Sequence, residues 1–109
     1  MVKKKIPKKV NRIIQDYIRR LAAEDKLPID RVILFGSQVK GNTHKWSDID
    51  VCIISPKFKD TIKAIEYLLI RRKDEEVRSG LEPIGFSPRD FLRGNSLVQE
   101  IKKTGVTVK

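Results

Sequence analysis

Val32-Ile-Leu-Phe-Gly-Ser-Gln-Val-Lys-Gly-Asn-Thr-His-Lys-Trp-Ser-Asp-Ile-Asp-Val-Cys-Ile-Ile-Ser-Pro56 is the stretch that decides the fold. It reads as strand, tight turn, helical turn, polar loop, strand. The run Arg31 to Phe35 is short and almost wholly apolar, as in a strand buried on both faces. Gly36 ends it, Ser37 to Lys40 fit one helical turn, and Gly41 to Lys45 form a loop opened by a Gly-Asn pair. Asp48 to Ser55 is the second strand, and Pro56 stops it. With a period of two, Asp48, Asp50, Cys52 and Ile54 share one face, and Ile49, Val51 and Ile53 the other. The two acids therefore stand at the rim of a sheet, on a face that turns apolar further along.

Working outward, Pro7 suits the first turn of a helix. Val10, Ile13, Ile14, Tyr17, Ile18 and Leu21 then recur at helical spacing, and Pro28 marks the break beyond it. After the second strand, Asp60 is placed to cap a long helix from Thr61 to about Arg78, with Ile62, Ile65, Leu68 and Leu69 as its stripe. The end of that helix, Arg71 to Arg78, reads as a solvated charged face, closed by Gly80. Leu81 to Phe86 reads as a third strand, which Pro83 assigns to a sheet edge. Ser87-Pro88 opens a short helical turn. Ser96-x-x-Gln99 is a capping box for a last helix whose apolar side is Leu97, Val98 and Ile101. Gly105 ends it, and Val106 to Val108 form a final short strand.

The chain has 109 residues, a size typical of one domain. Residues 1–9 read as a basic tail and 10–109 as the folded domain. The net charge is +10, with five lysines between Lys3 and Lys9, which points to phosphate-bearing partners. Cys52 is the only cysteine, so internal disulfides and cysteine-based zinc sites are excluded. The basic N-terminus has no apolar core of the kind a secretory signal needs, and no apolar run is long enough to span a bilayer. A reducing cytoplasm is the expected compartment.

Asp48 and Asp50 supply two carboxylates side by side, which suits Mg²⁺ and the transfer of a phosphoryl or nucleotidyl group. A third acid must come from a neighbouring strand. Glu82 is the best placed, ahead of Asp90 on a turn and Asp74 on a charged helix. Gly36 lets backbone approach a phosphate, Ser37 adds a hydroxyl at the start of a helical turn, and Lys40 or Lys45 reaches toward a phosphate tail. Ser47, next to the acids, joins the nucleotide-binding set. Gly36 to Gly41 also fits G-x-x-x-x-G, but Asn42-Thr43 follows, so the P-loop lysine is missing. His44 reads as a solvated loop residue, Trp46 as packing the loop down, and Cys52 as a small core residue.

A D-x-D pair or a Gly-Ser turn is common on its own. The combination is specific: strand, Gly36-Ser37, the ten residues Gln38 to Ser47, then Asp48-Ile49-Asp50 opening an apolar strand. It resembles the signature of the DNA polymerase β-like nucleotidyltransferase superfamily. The small size and the stretch LEPIGFSPRDF, with NSLVQEIKKTGV after it, resemble the minimal nucleotidyltransferase branch. The resemblance implies an α/β (α+β) fold with a small mixed sheet and helices packed on one side. It implies Mg²⁺ as cofactor and ATP as substrate. Asp48 and Asp50 fall on the metal pair, Gly36 and Ser37 on the nucleotide turn, and Glu82 where a third acid is expected, although many members carry Asp there. It also implies a HEPN-type toxin as partner, with this chain as the antitoxin that adds AMP to it. Two further readings compete: an antitoxin that neutralises by binding alone, and a basic nucleic-acid binder. The latter is disfavoured by an aromatic content of 6%, which leaves no stacking platform.

Overall fold

The apolar stripe from Val10 to Leu21 folds as α1, Lys8–Glu24, with Pro7 just ahead of it at the cap. The computed structural model describes residues 6–40 and 48–109. After α1 come β1 (Arg31–Phe35), α2 (Ser37–Lys40), β2 (Ile49–Ile54), α3 (Thr61–Ile70) and α4 (Asp74–Arg78). Then follow β3 (Leu81–Phe86), α5 (Pro88–Arg93), α6 (Ser96–Thr104) and β4 (Val106–Thr107). The strands make one mixed sheet in the order β3-β2-β1-β4. β1 runs antiparallel to both β2 and β4, and β2 runs parallel to β3. A parallel pair needs a long crossover, which α3 and α4 supply. β3 is an edge strand, where the missing N–H of Pro83 breaks no ladder.

One face of the sheet presents Val32, Leu34, Ile49, Val51, Ile53 and Leu81 to α1 and α3, whose Ile13, Ile14, Tyr17, Ala64 and Leu68 are buried against it. The Tyr17 hydroxyl donates to the Leu68 carbonyl, so the largest polar group of this layer is satisfied. The other face carries Ile33, Cys52, Ile54 and Phe86, covered by Phe91 of α5 with Val98 and Ile101 of α6. The expected mixed α/β fold is present, but packing of helices on one side only is not. Beyond Asp50, both faces of β2 are apolar, and each needs a cover.

Other expectations change as well. The helix expected from Thr61 to Arg78 is interrupted. Arg71 caps α3, and Lys73 is extended, its N–H donating to Glu76 Oε1 at 2.8 Å. Asp74, Glu75 and Glu76 occupy the first turn of α4, where the helix dipole favours acids. The run that looked like a continuing solvated face therefore encodes a new helix start. Glu76 is also fully buried, held by Arg20 of α1 at 2.6 and 2.9 Å. The buried line of α3 is Ala64 and Leu68, and Ile62, on the opposite side of the helix from Ala64, points outward, 71 % exposed. At the last helix the cap is Asn95 rather than Ser96: its side chain accepts from the Val98 N–H at 3.0 Å. Val98 and Ile101 face the core, whereas Leu97 is exposed. No helix among the described residues is long and apolar enough to cross a membrane.

Candidate active site

β1 stops because Gly36 turns the chain with φ +79, a conformation that residues with a Cβ rarely adopt. The Val39 N–H donates to the Gly36 carbonyl at 3.1 Å, closing the first turn of α2. Gly36 also lies against Asp50. A Cβ at position 36 would stand 3.2 Å from Asp50 Cγ and closer still to Oδ2, well inside normal contact. Only a residue without a side chain fits both the turn and the carboxylate.

The strand registers bring the acids together. Phe35 is the antiparallel partner of Asp50, and Glu82 is its parallel partner on the other side. Asp50 is thus the central residue, half-buried, between the β1 turn and β3. Asp48 precedes β2 and is exposed, as is Glu82. The Ile49 N–H donates to the Gly80 carbonyl at 2.8 Å, which fixes the entry of β2 beside β3. Gln38 of α2 donates to the Asp48 carbonyl at 3.4 Å. No motif in the sequence distinguishes Gln38, because its contact goes to backbone.

Burial raises the pKa of the Asp50 carboxyl above the ordinary value, and repulsion from Asp48 and then Glu82 raises it further. The three acids are therefore close enough for their charges to be felt. The donor set is wholly carboxylate oxygen, the type that small hard divalent cations take. Among the described residues, no three His, Cys, Asp or Glu side chains already converge on one cation position. Two of the three acids are exposed, so their side chains have room to turn inward. By donor chemistry, register and mutual repulsion, these residues fit a divalent cation.

Ser37 is the first residue of α2, half-buried beside the turn, and Lys40 is the last. Ser47, Lys45, His44 and Trp46 lie outside the described residues. Asp90 follows the far end of β3, and Asp74 sits in the first turn of α4, so neither belongs with Asp50. Cys52 is a buried core residue, its thiol pushed up to about 12 by burial.

A family model for the nucleotidyltransferase domain matches residues 14–106. Two solved structures share the fold. One is a crystal structure of a putative nucleotidyltransferase from Sulfolobus solfataricus, 15% identical, with a TM-score of 0.65, covering 91% of this chain and 78% of that one. The other is a toxin–antitoxin crystal structure with AMP-PNP, 21% identical, with a TM-score of 0.62, covering 91% of this chain and 72% of that one. No curated protein matches in sequence. Nucleotidyl transfer is the reaction class of the matched family, and the Gly36 turn beside Asp50 lies within the matched residues. The chain belongs to the nucleotidyltransferase domain family.

Proposed function

We propose that this chain is a Mg²⁺-dependent nucleotidyltransferase that moves AMP from ATP to a partner protein, as the antitoxin of a HEPN toxin–antitoxin pair. The observation that carries the reading is the meeting of Asp50 with Glu82 across the β2–β3 pair, beside the Gly36 turn. The fold shared with the toxin–antitoxin structure holding AMP-PNP supports the choice of nucleotide and partner.

In this reading Gly36 and Ser37 hold the triphosphate. Gly36 turns the chain without placing a side chain between substrate and acids, and Ser37 offers its hydroxyl. Lys40 and Ser47 join them at the phosphates. Asp48, Asp50 and Glu82 hold the cation, which when bound neutralises triphosphate charge and favours in-line displacement. The acceptor hydroxyl of the partner attacks the α-phosphorus. The new O–P bond forms as the bond to the β-phosphate oxygen breaks, and pyrophosphate leaves. Glu82, exposed on the edge strand β3, is the candidate to accept the hydroxyl proton. In this reading the acceptor hydroxyl is supplied by the partner.

The test is incubation with ATP labelled on the α-phosphate, Mg²⁺ and the candidate toxin, followed by gel analysis. Label on the toxin supports the reading. A stable, unlabelled complex that still neutralises the toxin replaces it with neutralisation by binding alone.

A further inference from the structure

Lys26 is the only described non-glycine residue with positive φ, at +57. It follows the α1 cap Asp25, and the Leu27 N–H donates back to the Leu21 carbonyl at 3.1 Å. Lys26 thus holds the left-handed position just past a helix end at which glycine is usual, because a Cβ is strained there. A lysine at this position breaks a local rule, and such departures concentrate at functional positions.

Lys26 lines an open groove of about 450 Å³ between the α1–β1 connection and the start of α3. Leu27, Phe58, Ala64 and Tyr67 give it an apolar floor and wall. The wall is fixed: Phe58 packs edge-on to Tyr67 at 6.1 Å, and Arg71 lies 4.7 Å over the Tyr67 ring. Lys57, Lys59 and Lys63 stand at the rim with Lys26. The carboxylates in the same place are engaged. Asp25 accepts from the Tyr67 hydroxyl and from Arg71 Nε, and Asp60 accepts from the Lys63 N–H. No ion pair to any of the four lysines occurs among the described residues. Four ammonium groups outside any ion pair, against Asp60 as the one lining carboxylate not paired to a cation, leave the rim of this apolar floor net positive and call for an occupant with carboxylates outside and an apolar side chain inside.

We propose that this groove docks an acidic segment of a partner protein that carries an aromatic or aliphatic anchor. The anchor lies on Leu27, Phe58 and Ala64, and the flanking carboxylates meet Lys26, Lys57, Lys59 and Lys63. A second copy of this chain is a poor occupant, since each copy carries +10. The rim is built of flexible point charges, without the planar fork of an arginine, and so suits a peptide more than one small ligand in a fixed pose. The groove lies beyond the end of β2 opposite Asp50, so an occupant leaves the acids open. The proposal rests on the protein-partner reading above only for the source of the segment.

The test is fluorescence anisotropy with a short labelled polyglutamate peptide containing a central Trp-Leu pair, at physiological ionic strength. The control peptide carries Ser-Ser in its place. The Trp-Leu peptide binds at least about tenfold more tightly than the control, and Lys57→Glu with Lys59→Glu removes at least about tenfold of that affinity. Lys26→Gly weakens binding while raising the melting temperature, a pairing that a purely structural lysine does not give. Equal binding of both peptides, no binding, or an equal loss on reversing exposed Lys8 and Lys9 would overturn the proposal. So would self-association that disappears with Lys57→Glu, which would assign the groove to a second copy. The assay contains no nucleotide, so its failure is separate from failure of AMP transfer.

Discussion

The Asp50 carboxylate fills the space that a side chain at position 36 would need. A turn at the end of β1 and a charge near the start of β2 are thereby one unit, joined by the Phe35–Asp50 pairing. Gly36→Ala strains the backbone at φ +79 and displaces Asp50 at once. The backbone strain alone costs about 1–2 kcal/mol, which lowers the melting temperature by roughly 5–10 °C for a domain of this size. Displacing the acid by a fraction of an ångström to an ångström lowers transfer by about 10²-fold. Thermal unfolding and a transfer assay on the same preparation check both parts.

Asp50 is half-buried and repelled by Asp48 and Glu82, so its charge works against folding until a cation offsets it. Mg²⁺ is therefore expected to raise the stability of the wild-type protein, by about 2.7 kcal/mol at a hundredfold excess over Kd. Asp50→Asn melts no lower than wild type without Mg²⁺ and loses the response to it. Melting curves with and without Mg²⁺ provide the comparison.

Arg20 and Glu76 form a pair buried at the carboxylate end: the Glu76 side chain is 1% exposed and Arg20 26%. Removing Arg20 strands the carboxylate, whereas removing Glu76 leaves a guanidinium that still donates to the Arg71 carbonyl. Arg20→Met is expected to cost about 3 kcal/mol, and Glu76→Gln less, since the amide oxygen can still accept from the Lys73 N–H. Urea unfolding of the two variants gives the order.

Asp25 sets part of the acid limit of stability. The bond from the Tyr67 hydroxyl, and then that from Arg71, holds its carboxyl below the ordinary 3.8. A carboxyl depressed in the folded state contributes stability above its unfolded value and loses it as pH falls through the folded one. The contribution is thus complete at neutral pH and fades below about pH 4. Asp25→Asn is expected to flatten the acid limb of stability against pH, measured by urea unfolding from neutral pH downward.

Much of this was legible in the sequence because it depends on local chemistry. The apolar run, Gly36, and the acids at i and i+2 each act on their own neighbours, and β1, α2 and the edge position of β3 follow. Glu82 was legible from its place in a short strand, but its pairing with Asp50 depends on the β2–β3 register, which no local signal fixes. The break between α3 and α4 depends on Glu76 reaching both the Lys73 N–H and Arg20, 56 residues away in sequence. The exposure of Ile62 follows from which side of α3 meets the sheet: Ala64 and Leu68 face inward, and Ile62 lies about 200° from Ala64 around the helix. Asn95 and Ser96 are both good caps, and packing of Val98 and Ile101 selects the first.

In the proposed function the acids beside Gly36 carry nucleotidyl transfer. The most direct measurement is the rate of label transfer from ATP, with Mg²⁺ and the partner protein, by wild type and by Asp50→Asn at equal folded concentration. Transfer by wild type and a fall of about 10³-fold or more in the variant are expected, the scale of losing several kcal/mol of charge stabilisation. Equal rates in the two proteins would contradict that function.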